Sequence, residues 1–499
     1  MTIELFKYRY YYILTQAIVL GMLTMSVYLL DLKQSITVFY FLIVWNILTY
    51  TCVLYNEIVK SPYFHPFIIF ALITLQYCGL SPISIAEILD SGETVYLGAT
   101  PINKYLTLGY LFLSIEHFFI YCGYFLYDNK RLKEYENTDI LESSSLLGNN
   151  LFKIAIYNYL FVILLRLINF FYPLASISSF IIGYAKNGFL VSLALLSYDM
   201  LKNKNSRTSI IYWTITIIEI IIVLNDGMKQ AIITPLLPYI IYLILLFKQK
   251  TDSHFPNKII IQFLVIAIFV IGFVFPYIQT FRELSNKKQK DWSEISVTET
   301  LNVYIDNLFS SSNKKKGQSG LEYFMSRAGS VGSNSFSVSY ADKRGISPEY
   351  FLYSTSAIIP RVLWPDKPAM LKGSTAYYMS LGNSFDDALV KAKKDKKATT
   401  SITLGFIGST YLAFGFLGAL IICTFAGYIS ARIWYFVKDK QYNIVAVWLL
   451  YSLLTTIFID YENFVDCGIT FYMSTLVYII LIKLIDKYYF KWETNEYSV

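Results

Sequence analysis

The residue types best suited to chemistry in this chain are arginines held by prolines. Arg361 stands in "IIPRVLWPDKPAM", together with Pro360, Trp364, Pro365, Lys367 and Pro368. Three prolines stiffen the backbone and restrict the residues before them, so Arg361 and Lys367 would be held in a defined geometry. Two fixed cations beside an indole suit a pyrophosphate or a sugar. The guanidinium offers a planar fork to phosphate oxygens, and Trp364 a flat apolar face for a pyranose. A rigid loop anchored by Trp364 at a membrane interface accounts for the same string.

A second set of candidates lies within apolar runs: Glu116, Arg166, Lys186 and Glu219. Ionisable side chains inside a bilayer are costly and usually face a polar cavity or one another. Arg166 and Glu219 fall a few residues from the outer ends of their runs, and Glu116 and Lys186 nearer mid-depth. Two acids and two bases form either a neutralising ion-pair network or the lining of an outward-open cavity whose cations meet a lipid phosphate. Histidine is scarce: His65 and His254 fall in cytoplasmic loops and His117 mid-membrane. A general base at the outer face should therefore be a carboxylate. Asp31 and the Asp386–Asp387 pair show no metal-ligand spacing, and neither a metal nor a cofactor is expected.

These residues must be positioned by membrane helices. Of 499 residues, 55% are hydrophobic and only 15% charged, with a mean hydropathy of +0.46, whereas about a quarter of a water-soluble domain is charged. The formal charge of +7 sits in short clusters between apolar runs, which is a topology signal and gives no reason to expect a nucleic-acid partner. Runs long enough to span lie near 10–30, 35–55, 66–81, 105–127, 151–172, 177–200, 208–224, 231–247, 259–280, 404–437, 442–459 and 469–486. The expected fold is an all-α polytopic integral membrane protein of about twelve spans. The 404–437 run is too long for one simple span, and its first part, "LGFIGSTYLAFG", suits a re-entrant or kinked segment.

Lysine and arginine collect on one side, at Lys7, Arg9, Lys130, Arg131, Lys202, Lys248 and Lys438, against Lys33, Lys104 and Lys229 on the other. By the positive-inside rule both termini are cytoplasmic. Residues 1–280 then carry nine spans with a cytoplasmic linker at 128–150. Residues 281–403 form one large periplasmic or extracellular loop, and 404–499 the last three spans and a short tail. A loop of that length should be mainly helical and packed over the bundle mouth. "SNKKQKDWSE", "SSSNKKKGQSG" and "KAKKDKKATT" read as solvated connectors, and "FDDAL", with Asp386 and Asp387, lies in a mobile-looking part.

"PRVLWPDKP", late in a large external loop, resembles the P-R-x-x-W-P-x-K-P signature of the Wzy-type oligosaccharide repeat unit polymerases, also called O-antigen polymerases. "FRE" with Arg282, "FMSRAGS" with Arg327 and "STYLAFGFLG" with Tyr411 and Gly415 resemble further segments of that family. "NDGMKQAIITPLL" carries Lys229 where the family usually has Arg, and Ser409 stands where many relatives have Glu. The resemblance implies a glycosyltransferase similar to the GT-C-like lipid-dependent enzymes, some of which carry a metal-binding acid in the first outer loop, where Asp31 lies. It also implies an inner-membrane location and an undecaprenyl-pyrophosphate-linked oligosaccharide as both donor and acceptor. Arg361, Arg327, Arg282 and Glu219 would be catalytic. Arg166, Lys229, Trp364, Lys367 and Tyr411 would bind substrate, with Glu322 and Asp366 as further carboxylates. A chain-length co-polymerase and a flippase would be membrane partners. The rival readings are a flippase of lipid-linked oligosaccharides and an O-antigen ligase.

Overall fold

The structure, a computed structural model, describes residues 2–60, 74–90, 92–97, 100–135, 151–171, 188–203, 206–224, 234–236, 297–309, 330–355, 372–394 and 404–439, with a few single positions besides. The chain divides into two compact units. Unit 1 comprises Met1–Glu142, Met325–Asp439 and Ser452–Met473, and unit 2 comprises Ser143–Phe324, Lys440–Tyr451 and Ser474–Val499.

Unit 1 begins with α1 (Thr2–Leu29) and α2 (Ile36–Lys60), followed by a π-helical turn at Leu75–Leu80 and α3 (Pro82–Asp90). A short antiparallel pair, β1 (Tyr96–Leu97) and β2 (Thr100–Pro101), leads into α4 (Leu106–Tyr135). Unit 2 supplies α5 (Leu151–Phe171), α6 (Phe189–Asn203), α7 (Ser206–Leu224) and α8 (Val297–Phe309). The chain returns to unit 1 as α9 (Ser330–Arg344), α10 (Pro348–Thr355), α11 (Lys372–Ser380), α12 (Phe385–Lys394) and α13 (Gly405–Asp439).

Among the described residues, five helical stretches are long and apolar enough to cross a membrane: Glu4–Leu29, Ile36–Glu57, Asn103–Arg131, Phe152–Phe171 and Gly405–Phe436. Their packing is that of bilayer helices. On α1, Leu5, Tyr12, Leu20 and Val27 are buried, while Leu14, Ile18, Met22 and Met25 form an exposed stripe at helical spacing. On α13 the exposed stripe is Leu417, Ile421 and Phe425. Water does not tolerate apolar stripes of this extent, and lipid does. The chain is a mainly helical membrane protein. The runs near 231–247, 259–280, 442–459 and 469–486 lie wholly or mostly outside the described residues.

Several expectations are corrected. Residues 128–135, assigned to a linker, continue α4, because Asp128 is gripped by neighbouring helices and carries the helix onward. "FDDAL" is the first turn of α12, where the Ser384 hydroxyl accepts the Asp387 N–H as a cap and Phe385 and Ala388 are buried. That helix runs to Lys394 with Ala392 buried, so "KAKKDKKATT" begins as packed helix. The third run, 66–81, passes through the π-helical turn directly into α3, with Pro82 at its first position, where the missing N–H is tolerated. The 404–437 run is kinked as expected: α13 is interrupted at Gly415, with φ 68° and ψ −173°. The described part of 281–403 is mainly helical, as α8 to α12.

The core of unit 1 is α4, whose residues from Leu106 to Phe125 are almost all buried. Its closest neighbour is α13. A Cβ at Gly123 would overlap the Thr424 carbonyl, and one at Gly427 would overlap the Ile120 carbonyl. Two backbones in contact at reciprocal glycines is how membrane helices gain packing where lipid gives no hydrophobic drive between them. At one end of the bundle Arg9, with no exposed surface, donates to both Glu57 oxygens at 2.9 and 2.8 Å, to Asp128 at 2.5 Å and to Asn129 at 2.8 Å. The Tyr435 hydroxyl donates to the other Asp128 oxygen at 2.7 Å. One guanidinium thus ties α1, α2, α4 and α13 together.

Two outcomes follow for stability. Gly123→Leu abolishes the folded, monodisperse peak in detergent chromatography, while Gly21→Leu, where a Cβ meets nothing within 4 Å, keeps it. Arg9→Ala strands two buried carboxylates and lowers unfolding stability by about 3–5 kcal/mol, measured by denaturation in detergent.

Candidate functional site

At the bundle end where α1 finishes and α4 begins, unit 1 holds a cavity of about 530 Å³. That volume lies within the range of small-molecule sites, roughly 300–1,000 Å³. Its walls come from four places. The α1–α2 turn contributes Tyr28, Asp31, Lys33 and Gln34, and the start of α4 contributes Lys104, Tyr105, Leu108 and Phe112. Helix α9 and its end contribute Val338, Ala341, Asp342 and Ile346, and α13 contributes Tyr411 and Gly415.

Local sequence accounts for each wall. Asp31 turns the chain from α1 to α2 with φ +50°, a conformation uncommon for a residue with a side chain and tolerated best by Asp and Asn. This strain points Asp31 and Lys33 together, 3.9 Å apart and largely exposed, with the Lys33 ammonium 5.5 Å from the Tyr28 ring centroid. Tyr105, at the end of the 3-10 turn Asn103–Tyr105 that leads into α4, and Phe112 on α4 stand seven residues apart, about two turns. The Tyr105 hydroxyl donates to the Asp342 carboxylate at 2.6 Å, and Tyr411 stacks on Phe112 with ring centroids 5.5 Å apart. Gly415 breaks α13 beside the cavity, with Ile346 only 3.5 Å from where its Cβ would be.

Helix α9 reaches this place although its sequence, "SVGSNSFSVSYADKR", is polar. Two of its serines satisfy themselves: Ser335 donates to the Val331 carbonyl at 2.6 Å and Ser337 to the Ser333 carbonyl at 3.1 Å. Small side chains then allow close approach. Ser335 lies where a Gly109 Cβ would be, Ser337 lies against Gly408, and Asn334 donates to the Gly109 carbonyl at 2.8 Å. Beyond α9, Ser347 N–H donates to the Leu412 carbonyl at 2.8 Å and Phe351 packs on Phe414, so α10 secures the kinked part of α13. Burial pushes the Tyr350 phenol up and keeps it neutral where it packs against Phe385.

The sequence candidates separate. Tyr411 lines the cavity, and so does Asp31. In unit 2, Arg166 donates to both oxygens of fully buried Glu219 at 2.8 and 2.9 Å, Tyr159 adds a third bond at 3.2 Å, and the guanidinium lies 5.5 Å from the Phe189 ring. Glu219 is thus fully engaged by its own neighbours, which is the ion-pair alternative. Glu116, in unit 1, has no such partner, and neighbouring His117 points elsewhere, to the Leu113 carbonyl and Cys78. Arg282, Arg327, Arg361, Trp364, Lys367, Lys229, Lys186, Glu322 and Asp366 lie outside the described residues.

Lys104, Tyr105 and Asp342 were missed from the sequence. The available signal was the pair "NKYLTL" and "SYADKR", each a charged residue beside a tyrosine at a helix end. Chemically the cavity offers two ammonium groups to an anion, two carboxylates to hydroxyls, and tyrosine faces to a sugar ring.

Fold and cavity define a mainly helical membrane protein with, among the described residues, a ligand-sized polar cavity at a bundle end. The chain belongs to the family described as Domain of unknown function (DUF8712), which it matches over residues 111–484, well over half its length. No curated protein and no solved structure matches it.

Gly415→Ala places a side chain at φ +68° against Ile346 and lowers stability by about 1–3 kcal/mol, whereas Gly21→Ala does not; denaturation in detergent measures both.

Proposed function

We propose that the chain is a glycosyltransferase joining undecaprenyl-pyrophosphate-linked oligosaccharide repeat units into O-antigen or capsular polysaccharide at the outer face of the cytoplasmic membrane. The observation that carries the reading is the cavity of tyrosines, lysines and carboxylates at the bundle end where α1 and α9 finish and α4 begins. The flanking charges put that end outside, as this reaction requires. The "PRVLWPDKP" string and its family resemblance support the same reading.

In the reaction an acceptor hydroxyl oxygen attacks the anomeric carbon of the donor glycan, and the anomeric C–O bond to pyrophosphate breaks. Undecaprenyl pyrophosphate leaves with the electron pair, and the hydroxyl proton passes to a base. The leaving group is already activated, so the protein needs mainly to stabilise its charge and take that proton. Lys33 and Lys104 supply positive charge in the cavity, and the family resemblance adds Arg361, Arg327 and Arg282 as catalytic cations. In this reading Asp342, which accepts from the Tyr105 hydroxyl at 2.6 Å, takes the proton, and Tyr411 offers a face for a sugar ring.

A second reading, a flippase of lipid-linked oligosaccharides, is favoured by one observation: Glu116 is buried without a partner, as in proton-coupled carriers.

Purified protein incubated with its undecaprenyl-pyrophosphate-linked repeat unit gives a size ladder of products. Arg361→Ala and Asp342→Asn each lower turnover by about 10²-fold or more at normal protein level. Wild-type protein that moves the lipid across vesicles and makes no ladder supports the flippase instead.

A further inference from the structure

Gly109, Glu116 and Gly123 are spaced by seven residues on α4, so all three share one face two turns apart. The two glycines mark where that face meets other backbones, α9 at Gly109 and α13 at Gly123. Glu116 therefore lies in the seam between them. It sits ten residues into α4, about 15 Å along the axis, half of a bilayer core of about 30 Å.

Glu116 has no exposed surface, and neither carboxyl oxygen has a hydrogen-bond partner. From α9 it faces Asn334, whose side-chain oxygen is also unpartnered, and from α13 it faces Tyr411 and Cys423. His117, next to it on α4, turns to the opposite side, toward Cys78 and Phe70. Among the described residues no lysine or arginine pairs with it. The contrast with Arg9–Glu57–Asp128 and Arg166–Glu219 is direct: Glu57, Asp128 and Glu219 each hold a guanidinium, and Asp199 accepts from the Thr208 hydroxyl, whereas Glu116 has neither among the described residues.

Phe112, one turn above Glu116, is part of the cavity wall, and Tyr411 bridges the two levels. Asn334, Val338 and Asp342 make the matching stripe on α9 at intervals of four. A bare carboxylate in so dry a place is prohibitive, and a neutral acid is not. A sodium ion needs more oxygen ligands than Glu116 and Asn334 provide, and the seam is closely packed by α9 and α13.

We propose that Glu116 is a proton-binding site in the middle of the membrane, served from the cavity past Tyr411, and that the bound proton holds α9 in the seam against α4. The inference rests on this geometry and not on the polymerase reading. Losing the proton would put an unpaired charge between α4, α9 and α13 and loosen the floor of the cavity.

The test is covalent labelling of the purified full-length protein with dicyclohexylcarbodiimide, which reacts with protonated carboxyls in apolar surroundings. The carboxyl proton moves to a carbodiimide nitrogen, the carboxylate oxygen bonds the central carbon, and an acyl shift leaves a stable N-acylurea with nothing released. Mass spectrometry should find the adduct on Glu116 and not on Glu57. Labelling should fall about tenfold per pH unit once the acid titrates. Glu116→Gln, which has the shape of the neutral acid, should elute and unfold like wild type at mildly acidic pH and lose the alkaline destabilisation that wild type shows. No adduct on folded wild-type protein at acidic pH would overturn the proposal. So would protection of Glu116 by sodium at fixed pH, which would make it a cation site, or a Glu116→Gln protein that fails to fold.

Discussion

A carbonyl oxygen of α13 occupies the space that a side chain at position 123 would need, and a carbonyl of α4 occupies the space required at position 427. This double exclusion brings two long helices into backbone contact, and the geometry of unit 1 depends on it. With α13 that close, α4 has little surface left for lipid, and its residues from Leu106 to Phe125 are buried almost throughout. Helix α9 then uses the same device, with Ser335 against Gly109 and Ser337 against Gly408. A shift of either contact by one side chain would move Tyr105, Asp342 and Tyr411 out of register with one another.

The two ends of this bundle are built differently. At one, Arg9 is fully buried, satisfies two carboxylates and has the Phe125 ring 4.5 Å beneath it. At the other, charges of both signs stand around open space, joined among the described residues by the Tyr105–Asp342 bond, the looser Asp31–Lys33 pair and the Lys33–Tyr28 ring contact. Buried charge that is fully paired organises packing, whereas charge left around a void can be completed by a ligand. That difference distinguishes a clamp from a site without appeal to any relative.

Much of this was legible in the sequence. Apolar runs at 10–30, 35–55, 105–127, 151–172 and 208–224 fall within or against α1, α2, α4, α5 and α7, because about 20 apolar residues have few other uses. The length of the 404–437 run, with Gly415 inside it, disclosed the kink. The Arg166–Glu219 pair was one of the two alternatives open to four charges. The placement of α9 was not legible, since hydropathy counts its serines as polar although Ser335 and Ser337 bond within their own helix and are small enough to let backbones touch. The cavity was half legible. Tyr411 and Asp31 stood out, while Tyr105 and Asp342 lie 237 residues apart and become a pair only when α9 docks on α4.

The central claim is that this cavity receives the pyrophosphate and adjoining sugar of a lipid-linked glycan. The most direct measurement is an electron cryomicroscopy map of the protein in lipid nanodiscs with undecaprenyl-pyrophosphate-linked repeat unit bound. The account requires density for the pyrophosphate within reach of Lys33 and Lys104, and a sugar against Tyr411 near Asp342. A bound lipid-linked substrate seated elsewhere, with this cavity holding only water, would contradict it.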